Sequence, residues 1–261
     1  MRLADSHCHI TDPRLIDRAD EIVGRMDADG LDFIVEVSAS VTESRDVIEF
    51  AKNHANVYCT VGVHPHMIGE YTDEFEMWAI DAVPPFIRAK KVVAFGEIGL
   101  DYFHNDHPHE LQRDIFTRQI RLADRLGLPL VVHTRDAFKD TMDVLIENKK
   151  FIRNGILFHC FSESGDEVAV AREHFDAYFA FGGGVTYAEK SLSAIRAVPI
   201  DRMLLETDAP YLNPKTAGGK KIINEPKNVS YVAEFIAGVL DVPKEDIATA
   251  TLENTRRFFG L

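Results

Sequence analysis

The sequence predicts an α/β protein folded as a (β/α)8 TIM barrel, a single domain over residues 1–261, and three observations predict it. Short β-branched or apolar runs alternate with longer stretches of helical periodicity, giving about eight βα units. No Pro/Ser-rich linker or low-complexity tract divides the 261 residues, a length close to the ~250 typical of such a barrel. Polar residues able to carry chemistry fall at the C-terminal ends of the apolar runs, the face on which barrels build active sites. A doubly wound open sheet would show the same local patterns, and this last placement favours the barrel.

In chain order, the strand candidates are "LADSHC" (3–8), "FIVEVS" (33–38), "VYCTVGVH" (57–64) and "VVAFGEIG" (92–99), followed by "LPLVVHT" (128–134), "GILFHCF" (155–161), "AYFAFGG" (177–183) and "RMLLETDAP" (202–210). Most are rich in Val, Ile, Leu or Phe, as strands covered on both faces are. Helices are expected at "LIDRADEIVGRMDADG" (15–30), "ELQRDIFTRQIRLADRLG" (110–127) and "DAFKDTMDVLIENKK" (136–150), the first two stopped by Gly30 and Gly127. The loosest stretch is "NPKTAGGKKIINEP" (213–226), where Pro226 suits the first turn of the last long helix.

Composition narrows the function classes. Hydrophobic residues make up 46%, enough for a substantial core, and 29 Lys and Arg against 42 Asp and Glu give a net charge of −13. No basic surface advertises duplex wrapping, although bound dications reverse the field locally inside a pocket. Cys8, Cys59 and Cys160 show no CxxC spacing, which points to a reducing compartment. With no secretory pattern at the start and no apolar run near the ~20 residues a bilayer needs, a cytoplasmic protein with no membrane partner is expected.

"ADSHCHIT" (4–11) places His7 and His9 two residues apart, so in a strand both imidazoles share a face, an arrangement suited to a metal. The same alternation turns Cys8 away, toward the surrounding helices, and leaves Asp5 on the histidine face to support His7. His64 and His66 follow the third apolar run, Glu97 ends the fourth, His133 the fifth, His159 the sixth and Asp208 the eighth. Buried imidazoles and carboxylates are costly without partners, and a metal satisfies several together. A carboxylate can span two ions ~3.5–4 Å apart, whereas a neutral imidazole offers one lone pair. The expected division is therefore His7, His9 and Asp208 with Glu97 on one ion, and Glu97, His133 and His159 on the other. Two divalent ions, Mg2+, Mn2+ or Zn2+, would leave a locally positive centre suited to a phosphate. Glu97 and Asp208 are the expected catalytic carboxylates, Asp208 accepting the proton of an attacking water.

The blocks "DSHCHI", "GVHPH", "GEIGLDY", "VVHTRDA", "HCFS", "ETDAPYL" and "NEPKN" occur in this order from residue 5 onward and span nearly the whole chain. Together they resemble the TatD family of metal-dependent deoxyribonucleases. The resemblance implies a barrel of the amidohydrolase-like superfamily and hydrolysis of phosphodiesters, typically from the ends of DNA, single-stranded or frayed. It also assigns metal roles to His7, His9, Glu97, His133, His159 and Asp208. Glu97 stands where many two-metal amidohydrolases have a carboxylated lysine. A metal-dependent hydrolase of another bond on the same scaffold (cyclic amide, ester or aminoacyl-tRNA) is the alternative, and a binding protein without catalysis is a third class, which the complete ligand set opposes.

Other residues carry two readings each. His64, His66 and Arg135 are candidate phosphate contacts, or respectively loop histidines and a member of a structural ion pair. Glu206 is a partner orienting a ligand or a paired interior acid, and Asp101 an anchor for a histidine. Tyr102 stacks on a base or caps the core; for Phe161 and Tyr211 core packing is favoured. His104, His107 and His109 in "HNDHPHE" suggest a further metal site or a solvated loop; without apolar strand framing the stretch is rejected as the main site and read as a solvated loop, with more histidines than the resembling family leads one to expect. Lys220 and Lys221 offer charge to phosphates, but Ile223 stands where similar proteins commonly have a basic residue before the Asn-Glu-Pro motif.

Overall fold

A computed structural model describes residues 1–104 and 106–261. Eight strands form one sheet in sequential order: β1 (Leu3–Cys8), β2 (Leu31–Glu36), β3 (Val57–Val61), β4 (Val92–Asp101), β5 (Leu130–Arg135), β6 (Ile156–Phe158), β7 (Tyr178–Phe181) and β8 (Met203–Leu205). The helices among the described residues are α1 (Ala19–Gly24), α2 (Glu43–Asn53), α3 (Asp73–Ala82), α4 (Pro84–Arg88), α5 (His109–Leu126), α6 (Phe138–Glu147), α7 (Gly165–His174), α8 (Lys190–Ala197), α9 (Val229–Leu240) and α10 (Lys244–Phe259). This is the expected (β/α)8 barrel, and none of these helices is long and apolar enough to cross a membrane.

Contacts along the chain group it into two compact units, one of residues 1–36, 54–57 and 159–261, the other of residues 37–53 and 58–158. In the first, β1 pairs in parallel with β2, and β7 with β8. The sheet closes here: Asp208 donates its amide to the His7 carbonyl at 2.9 Å and His9 to the Ala209 carbonyl at 2.7 Å. In the second unit β3, β4, β5 and β6 pair in parallel in that order. The strands are apolar because both of their faces are covered: all of β1, β4, β6, β7 and β8 is buried.

Helix α5 shows how sequence becomes element. Ile115, Phe116, Ile120, Leu122 and Ala123 lie on one buried face, each large side chain contributing about 1.5–3 kcal/mol, and Gly127 at φ 72° takes the left-handed turn that ends the helix. The helix expected over 15–30 is shorter: only Ala19–Gly24 is α-helical, after a 3-10 turn at Ile16–Arg18. Gly30, at φ 76°, closes the turns that follow rather than the helix. Pro226 likewise opens a 3-10 turn, Pro226–Asn228, ahead of α9, and the last long helix is α10.

Strands β2, β3, β6, β7 and β8 end before their expected limits, so that His64 lies past β3, His159 just past β6 and Asp208 beyond β8. Cys160 at φ 44° and Asp208 at φ 55° turn the chain out of the extended region past β6 and β8. In β4, a Cβ on Gly99 would collide with the His133 carbonyl, so the glycine of "GEIGLD" permits the close approach of β5.

Candidate metal centre

In the first unit, β1 delivers the pair that alternation predicts. His7 Nε2 and His9 Nε2 are 3.3 Å apart, with Asp208 Oδ1 at 3.8 Å from the first and 3.5 Å from the second. Donors at this spacing match the edge of a tetrahedron around one zinc-sized ion, about 3.3 Å for bonds of 2.0–2.1 Å. The His159 ring stacks on His7 with centroids 4.0 Å apart, and its Nδ1 is 3.8 Å from Glu206 Oε1. His7, His159 and Glu206 are all buried and form a second group able to hold an ion. Glu206 therefore meets a candidate ligand histidine, while its Oε1 accepts the Cys160 amide at 2.6 Å.

Buried acids behind these residues hold the loops. Asp5 accepts the amides of His7 at 3.2 Å and Thr207 at 2.8 Å, together with the Thr207 hydroxyl, so its support for His7 runs through the backbone. Burial pushes its pKa up to about 7 against these hydrogen bonds. The Cys8 thiol lies beside β2, near the Val35 carbonyl at 3.5 Å and Glu36 at 3.8 Å. Glu36 was not singled out in the sequence, yet it accepts from the Ile10 amide at 2.7 Å and from the Thr11 amide and hydroxyl at 2.9 and 2.6 Å. A lone Glu closing an apolar run was its only signal.

In the second unit, Glu97 and Asp101 sit four residues apart on β4 and take the two nitrogens of one imidazole. His133 Nδ1 is 3.5 Å from Glu97 Oε2, and His133 Nε2 is 3.1 Å from Asp101 Oδ2. A metal-binding histidine commonly gives its second N–H to a carboxylate, which fixes tautomer and orientation. The ring is thus set to present Nδ1 beside Glu97. Burial lowers the pKa of His133, but its bonds to Asp101 and Glu97 outweigh that and raise it to about 9. Burial likewise opposes the Asp101 charge, and hydrogen bonds from His133 and His104 nonetheless hold its carboxyl well below the usual range.

Asp101 is the centre of a larger cluster. Its Oδ2 also lies 3.1 Å from His66 Nε2 and 3.0 Å from His104 Nδ1, and its Oδ1 accepts the His104 amide at 3.0 Å. His107 Nε2 meets the His66 carbonyl at 3.0 Å, and the His109 ring stacks on Tyr102 at 3.5 Å. His104 and His109 are exposed, as the solvated-loop expectation has it, although His109 opens α5; the turns after β4 also bring His104 onto Asp101, His107 onto the His66 carbonyl and His109 onto Tyr102. Asn105, within the same stretch, lies outside the described residues. His64 Nδ1 accepts the His66 amide, and its ring lies 4.4 Å from that of His133.

Arg135 ends β5 with its guanidinium 4.0 Å over the exposed Phe103 ring. Tyr102 neither stands free for a base nor caps the core; besides its stacking on His109, its hydroxyl bonds Asp140 at 2.9 Å. Phe161 is core, edge-on to Phe179 at 4.9 Å. The core reading of Tyr211 is corrected: the residue is 46% exposed, because it follows the bend at Asp208, and lies under Arg14 and 6.1 Å from the His9 ring. Asn224 of "NEPKN" donates to the Thr207 and Tyr211 carbonyls at 2.8 Å each, bracing the Asp208 loop. Lys220 lies over the Tyr187 ring at 4.7 Å, and Lys221 is exposed.

Comparison with known proteins follows this geometry. Residues 4–260 match the family model described as TatD related DNase. The chain is 35% identical over 263 residues to the metal-dependent hydrolase YabD of Bacillus subtilis, covering 99% of each. It is 31% identical to the 3'-5' ssDNA/RNA exonuclease TatD of Enterobacter lignolyticus, covering 98% of each. The crystal structure of YjjV, a TatD homologue from Escherichia coli, superposes with a TM-score of 0.91 at 28% identity, covering 100% of this chain and 98% of that one.

Proposed function

The chain belongs to the TatD family of metal-dependent hydrolases, and from that premise we propose that it hydrolyses phosphodiester bonds at the ends of single-stranded or frayed DNA. The observation that carries the reading is the near full-length match to the TatD-related DNase model, over residues 4–260. The similarity to a relative named as a 3'-5' ssDNA/RNA exonuclease supports the nucleic-acid substrate.

In this reading His7, His9, Glu97, His133, His159 and Asp208 would hold two divalent ions, with Glu97 as a ligand common to both sets. The donor sets fit: the His7, His9 and Asp208 atoms have the spacing of one coordination sphere, and His133 presents Nδ1 beside Glu97. When bound, the ions acidify water, polarise a phosphoryl oxygen and stabilise the leaving oxygen. Asp208 accepts the proton of the attacking water at its carboxylate, which needs only hydrogen-bond reach. His64, His66 and Arg135 bind the phosphate, Arg135 with a guanidinium suited to bidentate contact.

The test is release of nucleotides from single-stranded DNA by purified protein with Mg2+, Mn2+ or Zn2+, alongside a panel of cyclic amides, esters and aminoacyl-tRNA. Chelation should abolish release and added metal restore it, and His133→Ala should lower the rate at least ~100-fold. Equal rates for parent and variant, or turnover confined to the other substrates, would overturn the reading.

A further inference from the structure

We propose that His66, Asp101 and His104 form an additional divalent-cation site, distinct from the six donors proposed above. Their donor atoms lie within 4.8 Å of one another, with Asp101 Oδ2 at 3.1 Å from His66 Nε2 and 3.0 Å from His104 Nδ1. These separations approach the ligand-to-ligand edge of a tetrahedral zinc site, about 3.3 Å. Two imidazoles and one carboxylate leave a fourth position for water or a substrate oxygen, the composition of an open rather than a structural site.

The carboxylate chemistry favours a cation over a plain hydrogen-bond hub. Asp101 Oδ2 faces three imidazole nitrogens, those of His66, His104 and His133. A carboxylate oxygen has two lone pairs in its plane, so three N–H donors compete for two positions. One cation held by His66, His104 and Oδ2 uses one lone pair and leaves the other to His133. Asp101 thereby serves both its neighbours without losing the bond that orients His133.

The surroundings are built as ligand surroundings commonly are. The far nitrogen of His66, Nδ1, faces Asp106 Oδ2 at 4.0 Å, a nearby negative charge rather than a hydrogen bond. His107 Nε2 bonds the His66 carbonyl at 3.0 Å, and buried Gln112 bonds both the amide and the carbonyl of Asp101, at 2.9 and 3.0 Å. Asp101 is buried, whereas the His66 and His104 side chains are 29% and 39% exposed, giving an ion a path from solvent. His66 would then meet a phosphate through the cation.

The experiment equilibrates the full chain with buffered Zn2+ and measures bound zinc per chain, comparing wild type with His104→Ala, His9→Ala and the double variant. His104 is on the surface, so its loss leaves the fold standing. The expected result is that His104→Ala lowers bound zinc by about one ion per chain, both in the wild-type background and in His9→Ala. A parallel Co2+ titration should lose one set of visible bands with His104→Ala. Equal zinc with and without His104, in either background, would overturn the proposal. Failure of the two-ion centre would show differently, as no effect of His9→Ala on bound metal.

Discussion

His133 Nε2 lies 3.1 Å from Asp101 Oδ2, so one carboxylate fixes the tautomer of a histidine whose other nitrogen faces Glu97. The bond keeps His133 in its protonated form without metal, with the pKa raised to about 9 against the effect of burial. A proton must leave Nδ1 before that atom can bind an ion. Zinc uptake at pH 7 is therefore expected to release a proton from this residue. Calorimetry in buffers of differing ionisation enthalpy counts it, and Asp101→Asn, which removes the charge raising the pKa, should reduce the count.

The same shift gives the metal-free protein a pH-dependent stability. His133 is more basic folded than unfolded, so its contribution is complete below the unfolded value of about 6.5 and is lost as pH rises through about 9. That contribution is about 3 kcal/mol at most. Chelated protein should show a falling urea midpoint from pH 6.5 to 9, with a flatter profile in Asp101→Asn. A flat profile in the parent chain would count against the His133–Asp101–Glu97 coupling.

Glu36 closes β2 and holds the turn that follows His9. Replacing it with Ala leaves the Ile10 and Thr11 amides without this acceptor, and an unsatisfied buried donor costs about 1–3 kcal/mol. Urea unfolding of Glu36→Ala should lose about 3 kcal/mol, and zinc affinity should fall because the turn beyond β1 positions His9. An unchanged midpoint would show that water replaces the carboxylate.

Much of this centre was readable in one dimension. The alternation of β1 explains why His7 and His9 converge while Cys8 turns toward Glu36. In β4, by contrast, the expected strand ended at Gly99, and only the structure extends it to Asp101, beside Glu97's partner His133. Alternation fails where strands end, and there sequence reasoning fell short. Glu206 and Asp208 share no strand, since β8 stops at Leu205, and the left-handed turn at Asp208 brings its carboxylate toward His7 and His9. His104 is a surface residue as read, but nothing local marks a loop histidine as the partner of an acid three residues earlier.

The sequence by itself determined the eight-unit (β/α)8 order, the expectation that His7, His9, Glu97, His133, His159 and Asp208 gather on and just after the strands, and the resemblance to the family. These follow from patterns of short period, which residue spacing records directly. Only the tertiary structure decided that Asp101 gathers His66, His104 and His133, that Glu36 carries the His9 turn, and that Asn224 braces the Asp208 loop. Each of these depends on a backbone turn or a contact between residues distant along the chain, and hydrogen bonds set by three-dimensional approach leave no periodic trace in the sequence.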